Sequence, residues 1–330
     1  MAHDLHPNHA HPPDLEHGAH EAHSRDHGHA DGHVHVHGPT SGRAFVISVT
    51  LNGLFVVAEL SAGILSHSMA LVADAAHNFG DVVGLLLAWG AAYLARRKPS
   101  VRRTYGFRRS TILASVANAV LLLVGVGAVS WEAIGRLRAG AHEVQGTVVL
   151  TVAALGVVIN LGSALPFFRA RKTDVNVRAA FTHLMADAAV SVGVVIAGAL
   201  MIFTHWMWLD ALVSLLVSLV ILVSTWSLLR DSLNLALDAV PDGIDPDEVR
   251  SFLCGLEGVT EVHDLHIWGM STTENALTAH LIADRQECRA GFLRDAAETL
   301  RKRFGVHHAT LQLEPPDEPH ECAHAPDDVL

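Results

Sequence analysis

The sequence predicts a membrane all-α six-helix bundle followed by a C-terminal cytosolic α+β domain. Three observations carry that expectation. Half of the 330 residues are hydrophobic and the mean hydropathy is +0.31, too apolar for an ordinary soluble domain of this size. Six apolar segments follow one another between residues 44 and 229, each near or above the ~20 residues that cross a bilayer as a helix. From Asp231 onward the hydropathy falls and short helix and strand signals alternate.

Taken in order, residues 1–42 come first as a His-rich tail. Twelve of the 24 histidines lie between His3 and His37, among Ala, Asp, Gly and Pro. Such a composition cannot bury a core and is expected to be disordered and cytosolic. It holds no apolar stretch of the secretory-signal kind. Residues 43–230 form the expected six-helix transmembrane domain, with spans near Ala44–Leu65, Met69–Leu94, Ser110–Val129, Thr147–Phe168, Val177–Phe203 and Leu209–Leu229. Residues 231–314 form the expected α+β domain. Asp245 to Leu256 reads as a short helix with Pro246 in its first turn, ended by Gly258. Val259–Trp268 and Ala276–Ala283 read as strands, Arg289–Phe304 as a second helix and Ala309–Leu313 as a last strand. This αββαβ order suits a small ferredoxin-like or metallochaperone-like sandwich. Pro315, Pro316 and Pro319 open an irregular tail over residues 315–330.

Basic residues set the expected orientation. The second connection carries Arg96, Arg97, Lys98, Arg102, Arg103, Arg108 and Arg109, and the fourth carries Arg169, Arg171, Lys172 and Arg178. The first and fifth, around His67 and His205, carry none, and the third has only Arg136 and Arg138. The positive-inside rule places the second and fourth loops, and with them both termini, in the cytosol. Compact loops favour a bacterial inner membrane. The three cysteines include no C-x-x-C pair, so a disulfide framework is not expected. A formal charge of −11 does not suggest nucleic acid as a partner.

The chemistry sits inside the apolar segments. His77 and Asp81 lie four residues apart in the second, and His183 and Asp187 repeat the spacing in the fifth. Four residues make one turn, so each pair shares a helix face. Ionisable side chains at that depth cost roughly 2.5–3.5 kcal/mol each and are rarely kept without a use. Two imidazoles and two carboxylates are the ligand set of a tetrahedral Zn²⁺, which points to a membrane transporter for a divalent transition metal. Each pair lies on the second helix of a three-helix half, and the halves run in opposite senses. An antiparallel crossing sets His77 near Asp187 and Asp81 near His183. Asp74, one turn before His77, reads either as an acceptor that fixes the imidazole tautomer or as a polar contact between helices. Glu59 in the first span reads as a proton site, a gate or a packing residue. Asp210 reads as a helix cap or dipole partner.

Four stretches then resemble one family. L-V-A-D-A-A-H-N-F-G-D (Leu71 to Asp81) is similar to the second helix of cation diffusion facilitators, and F-T-H-L-M-A-D-A-A-V-S-V-G (Phe181 to Gly193) to their fifth. Y-G-F-R-R (Tyr105 to Arg109) resembles the start of their third helix, and V-H-D-L-H-I-W (Val262 to Trp268) their C-terminal domain. The branch with two H-x-x-x-D pairs includes bacterial zinc/cadmium/cobalt exporters and vesicular zinc transporters. The resemblance implies a homodimer in the lipid bilayer that exports zinc against protons. It implies a transport site of His77, Asp81, His183 and Asp187. In the cytosolic domain it implies metal positions at His263, His280 and Glu314, with His266 a further candidate and Zn²⁺ there regulatory. Gln312 stands where relatives can have a His ligand. Against metal binding, His263 and His266 also read as members of an alternating strand that pack or stay solvated. The His tract reads as a metal buffer, a ligand source or a solvated tail. An enzyme is not expected: a metalloprotease sets H-E-x-x-H on a helix, and the string His320 to His324 falls in the irregular tail behind Pro315, Pro316 and Pro319. A sensor or store would not need His/Asp pairs within the bilayer.

Overall fold

The computed structural model describes residues 42–140, 143–165, 168, 175–283 and 291–316. The His-rich tract and residues 317–330 lie outside the described residues. The chain from residue 42 forms a helical bundle joined to a small α+β unit. The helices are α1 (Gly42–Leu65), α2 (Met69–Ala95), α3 (Ser110–Ala139), α4 (Gly146–Ala164), α5 (Val175–Thr204) and α6 (Trp208–Ala236). Five of them, α2 to α6, are long and apolar enough to cross a membrane, and α1 contributes the apolar stretch Asn52–Leu65.

In this bundle α4 packs along α5, and α3 along α6. α2 lies against α1, α3 and α6 and also touches α5. Its outward faces stay apolar: Trp131, Phe203 and Leu65 are largely exposed, which suits a lipid environment. Between helices, small residues permit close approach. A Cβ on Gly80 would stand 2.1 Å from Leu122 Cδ2, so this glycine lets α3 press on α2 between His77 and Asp81. A Cβ on Gly198 would lie 3.0 Å from the backbone nitrogen of Leu150, which marks the α4–α5 seam.

Two helices run further than their apolar segments. α3 continues past Val129 to Ala139, supported by an Arg136–Glu132 pair four residues apart at 3.2 Å, and stops at Gly140 with φ 93°. α6 continues through Arg230 and Asp231 to Ala236. Hydropathy registers the lipid depth, whereas nothing in these ends breaks the helical hydrogen bonds.

Beyond α6 come α7 (Pro246–Cys254), β1 (Val259–Gly269), β2 (Asn275–Ala283), α8 (Phe292–Phe304) and β3 (Val306–Glu314). Asp245 caps α7, accepting from Asp247 N at 2.9 Å, with Pro246 at the first position. The sheet has the order β1-β2-β3, with β1/β2 antiparallel and β2/β3 parallel. The parallel pair is joined by α8, as a crossover requires. Val249, Leu253, Val262, Leu265, Ile267, Leu281, Leu300 and Phe304 form the core between sheet and helices. β3 begins earlier than the apolar run predicts, because His307 and His308 join it while exposed.

The two parts meet at the Y-G-F-R-R segment. Arg108 pairs with Glu274 at the β1–β2 turn, and Arg109 with Asp238 after α6. Thr272 N donates to Thr111 Oγ1 at 3.1 Å, and the Tyr105 ring meets His308 edge-on at 5.7 Å.

Candidate metal centres

α2 and α5 bring the two predicted pairs together. His77 Nε2 lies 3.1 Å from Asp187 Oδ1 and 3.8 Å from Asp81 Oδ2. His183 Nε2 lies 3.3 Å from Asp81 Oδ2 and 3.5 Å from Asp187 Oδ2. Each imidazole therefore faces both carboxylates, and the two rings stand edge to face with centroids 6.1 Å apart. His77, Asp81 and Asp187 each bring one donor atom within 4.8 Å of the others; His183 stands outside that set of three and meets Asp187 through its second oxygen. Without a metal, the imidazole–carboxylate distances let each imidazole hydrogen-bond to a carboxylate.

Asp74 Oδ2 accepts from Ser191 Oγ of α5 at 3.1 Å, a polar contact between helices that ties α2 to α5. His77 Nδ1 makes no hydrogen bond among the described residues. Glu59 is wholly buried, and its Oε2 accepts from Asn78 Nδ2 at 3.0 Å.

Asp210 also acts at a distance. It begins α6 but caps α2: it accepts from Ser68 Oγ at 2.5 Å and from Ala70 N at 3.3 Å through Oδ1, and from Met69 N at 2.6 Å through Oδ2. Ser68 is itself the α2 cap, accepting from Leu71 N at 3.2 Å. Arg136 stands nearby and donates to the carbonyl of His67 at 2.6 Å.

A second group of donors lies on the outer face of the sheet. His263 and His280 are direct cross-strand partners, with ring centroids 5.2 Å apart. Glu314 reaches both: Oε2 is 3.2 Å from His263 Nε2 and Oε1 is 3.0 Å from His280 Nδ1. Gln312, paired with His280 across β2 and β3, donates to Glu314 Oε1 at 2.8 Å. Strict alternation would put His263 and His266 on opposite faces. The structure has a bulge between them, with Asp264 at φ 50°. Val262, Leu265 and Ile267 stay in the core, so His263 and His266 share the outer face. Asp264, which the sequence reading did not single out, sits between His266 Nε2 at 2.9 Å and His280 Nε2 at 3.7 Å. The only sequence signal for it was its place beside two histidines.

Comparison with known proteins now adds an independent line. Residues 45–235 match the cation efflux transmembrane domain, and residues 241–316 match the cation efflux protein cytoplasmic domain. This chain belongs to the cation diffusion facilitator family. Its relatives include the metal cation efflux system protein CzcD of Cupriavidus metallidurans, 36% identical over 78% of this chain and 82% of that one. The zinc transporter ZitB of Escherichia coli is 35% identical over 82% and 85%. The cadmium, cobalt and zinc/H(+)-K(+) antiporter of Bacillus subtilis is 33% identical over 81% and 87%. Among solved structures, the metal-bound C-terminal domain of the CzcD transporter from C. metallidurans is 30% identical, covering 22% of this chain and 99% of that one with a TM-score of 0.20. The family comprises membrane efflux transporters of metal cations and not enzymes, and the chain falls within its zinc/cadmium/cobalt exporter branch.

Proposed function

We propose that this protein exports Zn²⁺ from the cytosol in exchange for protons, by alternating access at a site formed by His77, Asp81, His183 and Asp187. The observation that carries this reading is the meeting of two imidazoles and two carboxylates from α2 and α5, each imidazole within 3.1 to 3.8 Å of both carboxylates. Two imidazoles and two carboxylates are softer than an all-oxygen site, which favours Zn²⁺ over Mn²⁺. The zinc, cadmium and cobalt named for the relatives agree with that ligand set.

In this reading all six long helices span the membrane and both termini face the cytosol. Two chains form a homodimer, each with its own route, and the setting is a bacterial inner membrane. The domain limits are those of the sequence: a tail to residue 42, the membrane domain to 230, the cytosolic domain to 314 and a tail beyond. With this topology, Asp81 and His183 form the cytosolic layer of the site, and His77 and Asp187 the outer layer. The cytosolic layer is the more open: Asp81 and His183 side chains are 31% and 35% exposed, against 14% and 8% for His77 and Asp187. This conformation therefore suits loading from the cytosol. Zn²⁺ displaces protons as it binds, because ligands must be deprotonated. The bundle then rocks outward, protons from that side compete for the imidazoles, and the protonated site returns.

Flux of ⁶⁵Zn into sealed proteoliposomes tests this reading. Uptake by protein inserted inside-out, with its cytosolic domain on the outside, should accelerate when the lumen is made acidic, with the membrane potential clamped. A rate indifferent to the imposed gradient would remove antiport and leave uniport.

His263, His280 and Glu314 form a second, regulatory zinc site in this reading, with His266 and Asp264 beside it. After dialysis against a weak chelator, His280→Ala should retain about one fewer tightly held zinc per chain than wild type, by elemental analysis. An unchanged count would place no metal between β1, β2 and β3.

A further inference from the structure

α1 supplies no candidate ligand, yet it holds Glu59 wholly buried in an apolar helix. Such a side chain is tolerated at that depth only if its oxygens are matched. Oε2 accepts from Asn78 Nδ2 at 3.0 Å. The carboxyls of Glu59 and Asp74 are neighbours within reach of each other, while Glu59 Oε1 faces no N–H or hydroxyl donor among the described residues. Asp74 in turn accepts from Ser191 Oγ. Ionised carboxylates only accept and repel, so two buried side by side are matched only when one of them carries a proton.

Among the described residues, the ionisable groups that act most strongly on Glu59 are Asp74 and His77, both from α2, and neither is a permanent cation. α4, which also packs on α1, has none, and α1 itself has no other between residues 44 and 65. Asp74 is the better-stabilised anion of the two, since it receives the Ser191 hydroxyl and stands one turn from His77 on the same helix. The proton therefore belongs to Glu59.

We infer that Glu59 is a neutral carboxylic acid that positions the transport site, its hydroxyl donating to Asp74 and its carbonyl oxygen accepting from Asn78. Asn78 adjoins His77, and Ser191 lies one turn beyond Asp187. The bonds thus run from α1 through α2 to α5 and set how closely the two ligand-bearing helices approach. This role rests on the reading that those helices carry the transported metal.

Glu59→Gln preserves both bonds, because an amide donates through nitrogen and accepts through oxygen. Zinc binding and ⁶⁵Zn flux should then stay within about twofold of wild type, with the same pH profile. Glu59→Leu keeps the bulk but leaves Asp74 and Asn78 unmatched, so flux should fall at least about tenfold and half-saturation should need more zinc. Infrared spectra of wild type should show the carbonyl band of a buried carboxylic acid, lost in Glu59→Gln. Should Glu59→Leu not fold, the band and the Glu59→Gln flux decide. Absence of the band overturns the inference. So does a Glu59→Gln protein that binds zinc but loses flux or its response to a proton gradient, since Glu59 would then ionise during the cycle. Wild-type flux that ignores the gradient would count against antiport, while the band and the Gln–Leu contrast still judge this role.

Discussion

Zinc flux through vesicles carrying Asp187→Ala falls to the rate of protein-free vesicles. Asp187 is the most buried of the four candidate ligands and touches both imidazoles, at 3.1 Å from His77 and 3.5 Å from His183. Its removal leaves one carboxylate against a divalent cation in surroundings that cannot solvate the difference. Breaking a buried charge pair on one side costs about 3–5 kcal/mol, roughly two to four orders of magnitude in affinity. Asp187→Asn keeps the shape but not the charge and should lose nearly as much. The check is ⁶⁵Zn uptake at saturating zinc, with the dimer fraction measured by crosslinking alongside. Uptake near the wild-type rate would exclude Asp187 from the transport site.

The largest loss of stability is expected at Asp210. Asp210→Ala removes the acceptor for Ser68 Oγ, Met69 N and Ala70 N together, all inside the bundle. Orphaned buried donors cost about 1–3 kcal/mol each, so a loss on the order of 3–9 kcal/mol follows for the three together. It also deprives Arg136 of its neighbouring anion. Detergent-solubilised Asp210→Ala should unfold at a markedly lower temperature than wild type, and Asp210→Asn, which retains one acceptor oxygen, at an intermediate one. Coincident unfolding curves would show that solvent replaces the lost acceptor.

These two residues illustrate how far a sequence can be read. The His77/Asp81 and His183/Asp187 pairs were legible because a four-residue spacing is local and an apolar background makes charge conspicuous. Their approach across α2 and α5 followed from antiparallel geometry. Asp210 was legible as a cap, but not as the cap of a helix some 140 residues earlier in the chain, because no local pattern encodes that partner. Asp74 was visible as a buried carboxylate, and only packing shows that Ser191 of α5 is its donor. Five of the six expected spans were clear from hydropathy, whereas the charged ends of α3 and α6 were missed by a signal that measures lipid depth and not hydrogen bonding. The site on the sheet was half legible: a Val-His-Asp-Leu-His-Ile-Trp strand announces its histidines but not the irregularity that orders them.

That irregularity divides the heptapeptide into two half-strands in antiphase. Up to His263 the odd-numbered residues point away from the core, and from Leu265 onward the even-numbered ones do, with Asp264 absorbing the change of parity. A one-residue deletion here would therefore straighten the strand without exchanging its faces: lacking Asp264, His263 stays outward, Leu265 inward and His266 outward in plain alternation, the two histidines each opposite its present partner on β2. An insertion elsewhere in β1 would exchange them. The extra residue thus leaves the pairing as it is and adds a carboxylate, 3.7 Å from His280 Nε2, to the face the two histidines already share.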